Sequence, residues 1–153
     1  MTTLNVITKI MVNAKAYTER YMNAMPAEGY NFKPTPAVRS FAHQMLHLAD
    51  ANYYFISIAS GKPAPLNQES LEQIVIPTKE ATLKAVLDSY EYVIAVLNET
   101  REDQLLKMVK FGNLEIPQIA AWGKAFEHQA HHRGQIAIYL RLKGITPPEG
   151  TIF

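Results

Sequence analysis

The sequence predicts an all-α fold, most simply a four-helix bundle with a long crossover connection. Four long segments carry apolar residues at helical spacing, and no strong period-two strand pattern appears anywhere. The segment 61–77 between the second and third helices contains three prolines and is long enough to cross the bundle. With 153 residues and no internal repeat, we expect one domain over residues 1–153.

The first predicted helix runs from about Leu4 to Met25. Thr2 or Thr3 is placed to cap its N-terminus, because a hydroxyl can accept a hydrogen bond from a free amide of the first turn. Pro26 cannot continue the helix and marks its end.

The second predicted helix starts at Thr35-Pro36 and continues to Ser60. A threonine cap followed by proline in the first turn is a typical helix start, and Gly61 is a typical stop. The connection that follows is expected to be mostly loop, with a short helix near Glu69–Ile74.

The third helix is predicted to begin after Thr78 and to end near Thr100. Residues 101–115 are expected to form a short helix and then a turn at Phe111-Gly112-Asn113. The fourth helix is expected to start near Ile116-Pro117 and to run to Lys143, where Gly144 and a Pro-Pro pair stop it.

The composition excludes several kinds of function. Charge is almost balanced, with 15 Lys and Arg against 14 Asp and Glu and no basic run, which argues against nucleic acid as the partner. The chain has no cysteine, so disulfides, thiolate metal sites and a cysteine nucleophile are excluded. The first ten residues do not have the basic start and long apolar stretch that predict a signal peptide, and no apolar run approaches membrane-spanning length. We therefore expect a cytoplasmic protein without a membrane partner, acting on a small molecule.

The five histidines are the residues most suggestive of chemistry. His128 and His132 are four apart and share one face of the fourth helix, and His43 and His47 form a similar pair on the second. His131 lies among charged residues instead. Spacing alone permits a metal site at either pair, or ordinary hydrogen-bonded histidines on helices. Ligands from two distant helices that meet inside a bundle are more specific.

Helical wheels favour one combination of three. His128 and His132 border the apolar arc of the fourth helix, and His47 lies closer than His43 to the apolar face of the second. If the second helix contributes one ligand to the pair on the fourth, His47 is the better candidate. His43 and His131 are interpreted as ordinary polar residues.

Three further side chains are candidates for contact with such a site. Asp50 lies one turn from His47 and is placed either to orient it or to face solvent. Gln135 and Tyr139 follow His132 along the same arc, where they could contact a ligand or simply pack with a hydrogen-bonded polar tip. No general acid or base is evident.

Three segments together resemble a known family. The run H-x-x-x-H-R-G-Q followed by I-A-I-Y-L-R-L-K-G-I-T-P-P looks like the end of DinB/YfiT-like proteins. Y-N-F-K-P-T-P-A-V-R-S-F with H-L-A-D-A-N-Y-Y-F is similar to their second helix, and P-T-K-E-A-T-L-K-A-V-L to their third. The resemblance covers nearly the whole chain in the expected order.

The resemblance implies a four-helix bundle with a crossover, commonly a homodimer. It also implies a metal, often zinc or nickel, bound by one histidine of the second helix and an H-x-x-x-H pair of the last. Carried over by position, these ligands are His47, His128 and His132. Family members with known activity include thiol-dependent transferases and isomerases.

Three imidazoles leave a zinc-like ion with an open position, as catalytic sites do. We therefore expect a metal-dependent enzyme that transfers a low-molecular-weight thiol to an electrophile. Because the chain lacks cysteine, the thiol must come from outside the protein. The alternatives are a metal-dependent hydrolase and a non-catalytic, metal- or ligand-binding stress-response protein.

Overall fold

The computed structural model describes residues 2–66 and 69–150 and contains a bundle of four long helices. The predicted all-α bundle is confirmed. The elements are α1 (Thr3–Ala24), α2 (Phe41–Ser60), a short α3 (Leu71–Ile74), α4 (Lys79–Glu99), the strands β1 (Met108–Phe111) and β2 (Leu114–Pro117), and α5 (Gln118–Leu142). Short 3₁₀ turns lie at Ala27–Gly29 and Glu102–Gln104.

The helices α1 and α2 each pack against both α4 and α5. Along the α2–α4 contact, Asn52 bonds Ser89 and, further on, Lys62 pairs with Glu99. The partners follow in the same order along both helices, so α2 and α4 are parallel neighbours. Parallel neighbours cannot be joined by a tight turn, and the chain between them returns along the bundle. This confirms the predicted crossover.

The helices α2 and α5 are antiparallel. Gln44 near the start of α2 contacts Gln135 late in α5, and Asn52 further along α2 contacts Gln129 earlier in α5. His47 lies between these two bridges on α2. This packing brings one histidine from the second long helix to the pair on the last.

Several predicted helix ends are confirmed. The hydroxyl of Thr2 accepts a hydrogen bond from the amide of Asn5, and that of Thr78 from Ala81, as N-caps do. Gly61 ends α2 in the left-handed conformation with φ +69°. Among the described residues, no helix combines the length and the apolar character that a membrane crossing requires.

The predicted start of α2 at Thr35-Pro36 is wrong, since the helix begins at Phe41. Ser40 is the cap, and its hydroxyl accepts from the amide of His43. Thr35 instead opens a turn closed by the Val38 amide, and proline suits the second position of such a turn as well as it suits a helix start. The amide of Phe41 is then bonded to the carbonyl of Phe32, which folds the preceding segment against the helix.

A β-hairpin before α5 was not predicted. Strands β1 and β2 pair antiparallel with Phe111 opposite Leu114, which leaves Gly112-Asn113 as a two-residue loop. Each strand has only four residues, too few for a periodic pattern to stand out. The hairpin packs against α2, where the ring of Phe111 stacks on Phe55 with 5.9 Å between centroids.

We predict that Gly112→Ala lowers the free energy of unfolding by about 1–2 kcal/mol, because a Cβ is disfavoured at the φ of +59° found there. Gly123→Ala is the matched control: an added Cβ meets nothing within 4 Å on α5, and alanine is favoured over glycine in a helix by roughly 0.5–1 kcal/mol. Urea denaturation measures both. Equal effects of the two substitutions would contradict the assigned loop.

Candidate metal centre

Three histidines meet between α2 and α5. The ring centroids of His47 and His128 are 5.2 Å apart, those of His47 and His132 4.9 Å, and those of His128 and His132 4.3 Å. One nitrogen of each ring lies within 4.8 Å of the others, and the group contains no carboxylate. His132 is buried, while the other two are partly exposed.

The spacing of the two α5 nitrogens is close to what a tetrahedral ion needs. The Nε2 atoms of His128 and His132 are 3.1 Å apart. Zn–N bonds of about 2.0–2.1 Å in tetrahedral geometry place two ligand nitrogens roughly 3.3–3.4 Å apart. The donor set also fits, because neutral imidazole is a good ligand for zinc and nickel.

The proton of His132 can be placed from the surrounding hydrogen bonds. Tyr139 donates to the carbonyl of Arg39 at 2.7 Å, so its oxygen is free to accept from the amide nitrogen of Gln44. That nitrogen also donates to Gln135 at 2.7 Å, which turns the Gln44 oxygen toward Nδ1 of His132, at 2.7 Å. Nδ1 therefore carries the hydrogen, and Nε2 presents a lone pair to the cluster.

His47 has a different partner. Its Nδ1 lies 3.1 Å from a carboxylate oxygen of Glu72, a residue of α3 in the crossover. Asp50, predicted to orient His47 or to face solvent, instead accepts from the hydroxyl of Ser70 and the amide of Leu71, at 2.7 and 2.8 Å. Asp50 thus holds the start of α3 against α2.

Burial favours neutral imidazoles in this cluster. Desolvation, followed by the nearby positive form of His47, lowers the pKa of His128 to about 4. Desolvation and then His128 lower the pKa of His132 to about 3. Both rings are consequently neutral at neutral pH, the protonation state that a metal requires. Nδ1 of His128 is buried without a hydrogen-bond partner among the described residues.

The other two histidines lie outside the group. Nδ1 of His43 is 2.7 Å from the hydroxyl of Ser40, the cap of α2. Nε2 of His131 is 2.7 Å from the amide nitrogen of Gln135. Both have ordinary polar partners near helix surfaces. Gln135 and Tyr139 are candidate ligand contacts in the sequence. In the structure both accept a hydrogen bond from the amide nitrogen of Gln44.

The surroundings combine an aromatic wall and a cleft. Phe55 lies 5.6 Å from His128 and is covered by Phe111 of the hairpin. On the other side, a cleft of about 720 Å³ opens beside His47, between α2 and the crossover. It is lined by apolar and acidic side chains that include Tyr53, Tyr54, Leu66, Asp50, Glu69 and Glu72.

Gln44 and Glu72 contact the histidines but were not identified from the sequence. Gln44 precedes His47 by almost one turn, and this spacing on the same helix is a signal that could have identified it. Glu72 had no such signal, because its contact with His47 depends on how the crossover folds back. A carboxylate in a proline-containing loop is not distinguished by spacing.

The comparisons with known proteins agree with the fold. The model of the DinB superfamily matches residues 11–136, which include all three histidines. The chain belongs to the DinB superfamily.

A curated relative is YjoA of Bacillus subtilis strain 168, an uncharacterized protein that is 23% identical over 154 residues, covering 93% of this chain and 92% of that protein. The crystal structure of the DinB-like YjoA from Bacillus subtilis superposes with a TM-score of 0.78 at 20% identity, covering 95% of this chain and 97% of the other. A DinB-like protein from Bacillus cereus ATCC 10987 gives 0.74 at 18% identity, covering 94% of each chain. At these identities the structures establish the fold.

We predict that Gln44→Ala lowers the free energy of unfolding of the metal-free protein by about 1–3 kcal/mol, because the N–H of the buried His132 ring loses its acceptor. Gln73→Ala, on the exposed side of α3, is the matched control and should change it by less than about 0.5 kcal/mol. Chemical denaturation in the presence of a chelator measures both. A Gln44→Ala variant as stable as the control would contradict the proposed hydrogen-bond network.

Proposed function

We propose that the protein binds a divalent metal through His47, His128 and His132 and transfers a low-molecular-weight thiol to an electrophilic substrate. The observation that carries the proposal is the convergence of three imidazoles from two helices, with no carboxylate in the group. Structural zinc sites are closed by four protein ligands, whereas three protein ligands are typical of catalytic zinc. Zinc and nickel are the metals that the family resemblance favours.

A divalent ion held by three imidazoles supplies a Lewis acid that lowers the pKa of a thiol or water in the remaining position. The side chains around the histidines position them and control their surroundings. Gln44 fixes the ring of His132, and the buried position of that ring keeps it neutral. Phe55 places apolar surface against one side of His128, and Phe111 of the hairpin packs on Phe55.

The absence of cysteine supports an external thiol. No residue of this chain can serve as the sulfur nucleophile or form a covalent thiol intermediate. The cleft beside His47 has room for a small molecule, and both aromatic and acidic side chains line it. These features favour a small-molecule substrate that enters along α2.

There are two alternatives, and the lack of a carboxylate within the histidine group favours the second. A hydrolase would activate water in place of the thiol, and a binding protein would carry the metal without turnover. A homodimer also stays a prediction, for which the exposed Ile138 and Leu142 of α5 offer apolar surface. The cytoplasmic location is likewise an expectation from the sequence.

We predict that alanine substitution of His47, His128 or His132 removes most of the bound metal, since each would take away one of three ligands. The loss of metal affinity should exceed the roughly 10–100-fold loss that is typical when a residue hydrogen-bonded to a metal ligand is changed. His43→Ala and His131→Ala are the matched controls and should keep the wild-type stoichiometry. Elemental analysis of protein purified without added metal measures it. A triple variant with unchanged metal content would refute the ligand assignment.

We predict that the metal-loaded protein accelerates the reaction of at least one low-molecular-weight thiol with an activated aryl halide, and that the triple histidine variant does not. Turnover is measured across a panel of thiols, with ester and amide hydrolysis assayed in parallel. Hydrolysis without thiol transfer would establish the hydrolase. The absence of both, with metal confirmed bound, would favour the binding protein.

A further inference from the structure

The contact between Glu72 and His47 links the crossover to the histidine group. One carboxylate oxygen of Glu72 lies 3.1 Å from Nδ1 of His47, and the other accepts from Nε of Arg39 at 2.8 Å. The side chain of Glu72 is only 20% exposed. Both of its oxygens are therefore engaged, in a place that is partly shielded from water.

The position of Glu72 is fixed by α2 itself. Asp50 accepts from the hydroxyl of Ser70 and from the amide of Leu71, and the buried side chain of Leu71 packs in the core. Ser70 in turn caps the amide of Glu72. The same helix that carries His47 thus anchors the segment that presents the carboxylate to it.

Two assignments of the hydrogen on His47 compete. A terminal nitrogen of Arg39 lies 3.3 Å from Nδ1 and could donate to an unprotonated ring nitrogen. That arrangement would direct a lone pair at the Glu72 carboxylate 3.1 Å away, which is repulsive and poorly screened. With the hydrogen on Nδ1, the ring donates to Glu72, and the exposed end of Arg39 can bond water. The second arrangement satisfies every group.

The three imidazole rings differ in the group that lies next to Nδ1. His132 has a neutral amide oxygen at Nδ1, and Nδ1 of His128 has no partner among the described residues. His47 alone of the three has a carboxylate at Nδ1. A carboxylate in this position raises the basicity of the imidazole, fixes its tautomer and adds negative charge near a bound cation.

We propose that Glu72 is a positioning residue of the metal centre, which holds His47 with the hydrogen on Nδ1 so that Nε2 faces His128 and His132. The crossover is then part of the site and not only a connection. This inference rests on the proposed metal binding, although the tautomer of His47 can be measured without metal.

The first experiment determines the tautomer of His47 in the metal-free protein by long-range ¹H–¹⁵N NMR correlation. In the wild-type protein Nδ1 should give the shift of a protonated nitrogen and Nε2 that of an unprotonated one. Glu72→Ala should shift the ring toward a mixture of tautomers. Glu69→Ala, which removes an exposed carboxylate of the same crossover, is the control and should leave the spectrum of His47 unchanged.

The second experiment measures zinc affinity by competition with a chromophoric chelator. Glu72→Ala should bind zinc about 10–100-fold more weakly than wild type. Glu72→Gln keeps an acceptor oxygen without the charge, so its zinc affinity should lie between those of wild type and Glu72→Ala. The zinc affinity of Glu69→Ala should match that of wild type. Circular dichroism confirms that each variant is folded.

Either of two results would overturn the inference: a wild-type His47 with its hydrogen on Nε2, or a folded Glu72→Ala variant with zinc affinity within about twofold of wild type. A wild-type protein that bound neither zinc nor nickel would refute the proposed function instead. In that case, a tautomer change on Glu72→Ala would still establish that Glu72 positions His47.

Discussion

The antiparallel contact between α2 and α5 is the interaction on which the site depends. Two polar bridges, the part-buried Gln44 to Gln135 and the buried Asn52 to Gln129, lie on either side of His47 along this contact. A slide of one helical turn, about 5.4 Å, would separate both pairs and leave buried amides without partners. The register that satisfies these amides is also the one that places His47 opposite the pair on α5. Asn52 extends the constraint to α4 through Ser89.

Much of this arrangement could be predicted from the sequence because it depends on local rules. Helical periodicity, threonine caps and glycine stops identified the four long helices, and a proline-containing segment too long for a tight turn indicated the crossover. The wheel argument also separated His47 from His43, since one faces the core edge and the other faces Ser40. These inferences use only positions within one helix or one turn.

What the sequence did not reveal depends on how distant segments meet. Thr35-Pro36 is compatible with a turn and with a helix start, and the choice is made by the backbone bond of Phe41 to Phe32, which folds the segment between them back on itself. The hairpin is too short to show a pattern, and it is stabilised by Phe111 packing on α2. Glu72 reaches His47 only because Asp50 anchors α3, a contact between residues far apart in the chain. No spacing rule connects such residues.

The placement of the histidines also bears on the order in which the protein matures. His47 is synthesised early, whereas His128 and His132 lie on the last long helix to emerge from the ribosome. Until α5 docks on α2, the nascent chain lacks the two imidazoles that lie opposite His47. For the metal centre proposed above, high affinity would therefore arise only once α5 has docked on α2, so that metal binding would follow folding.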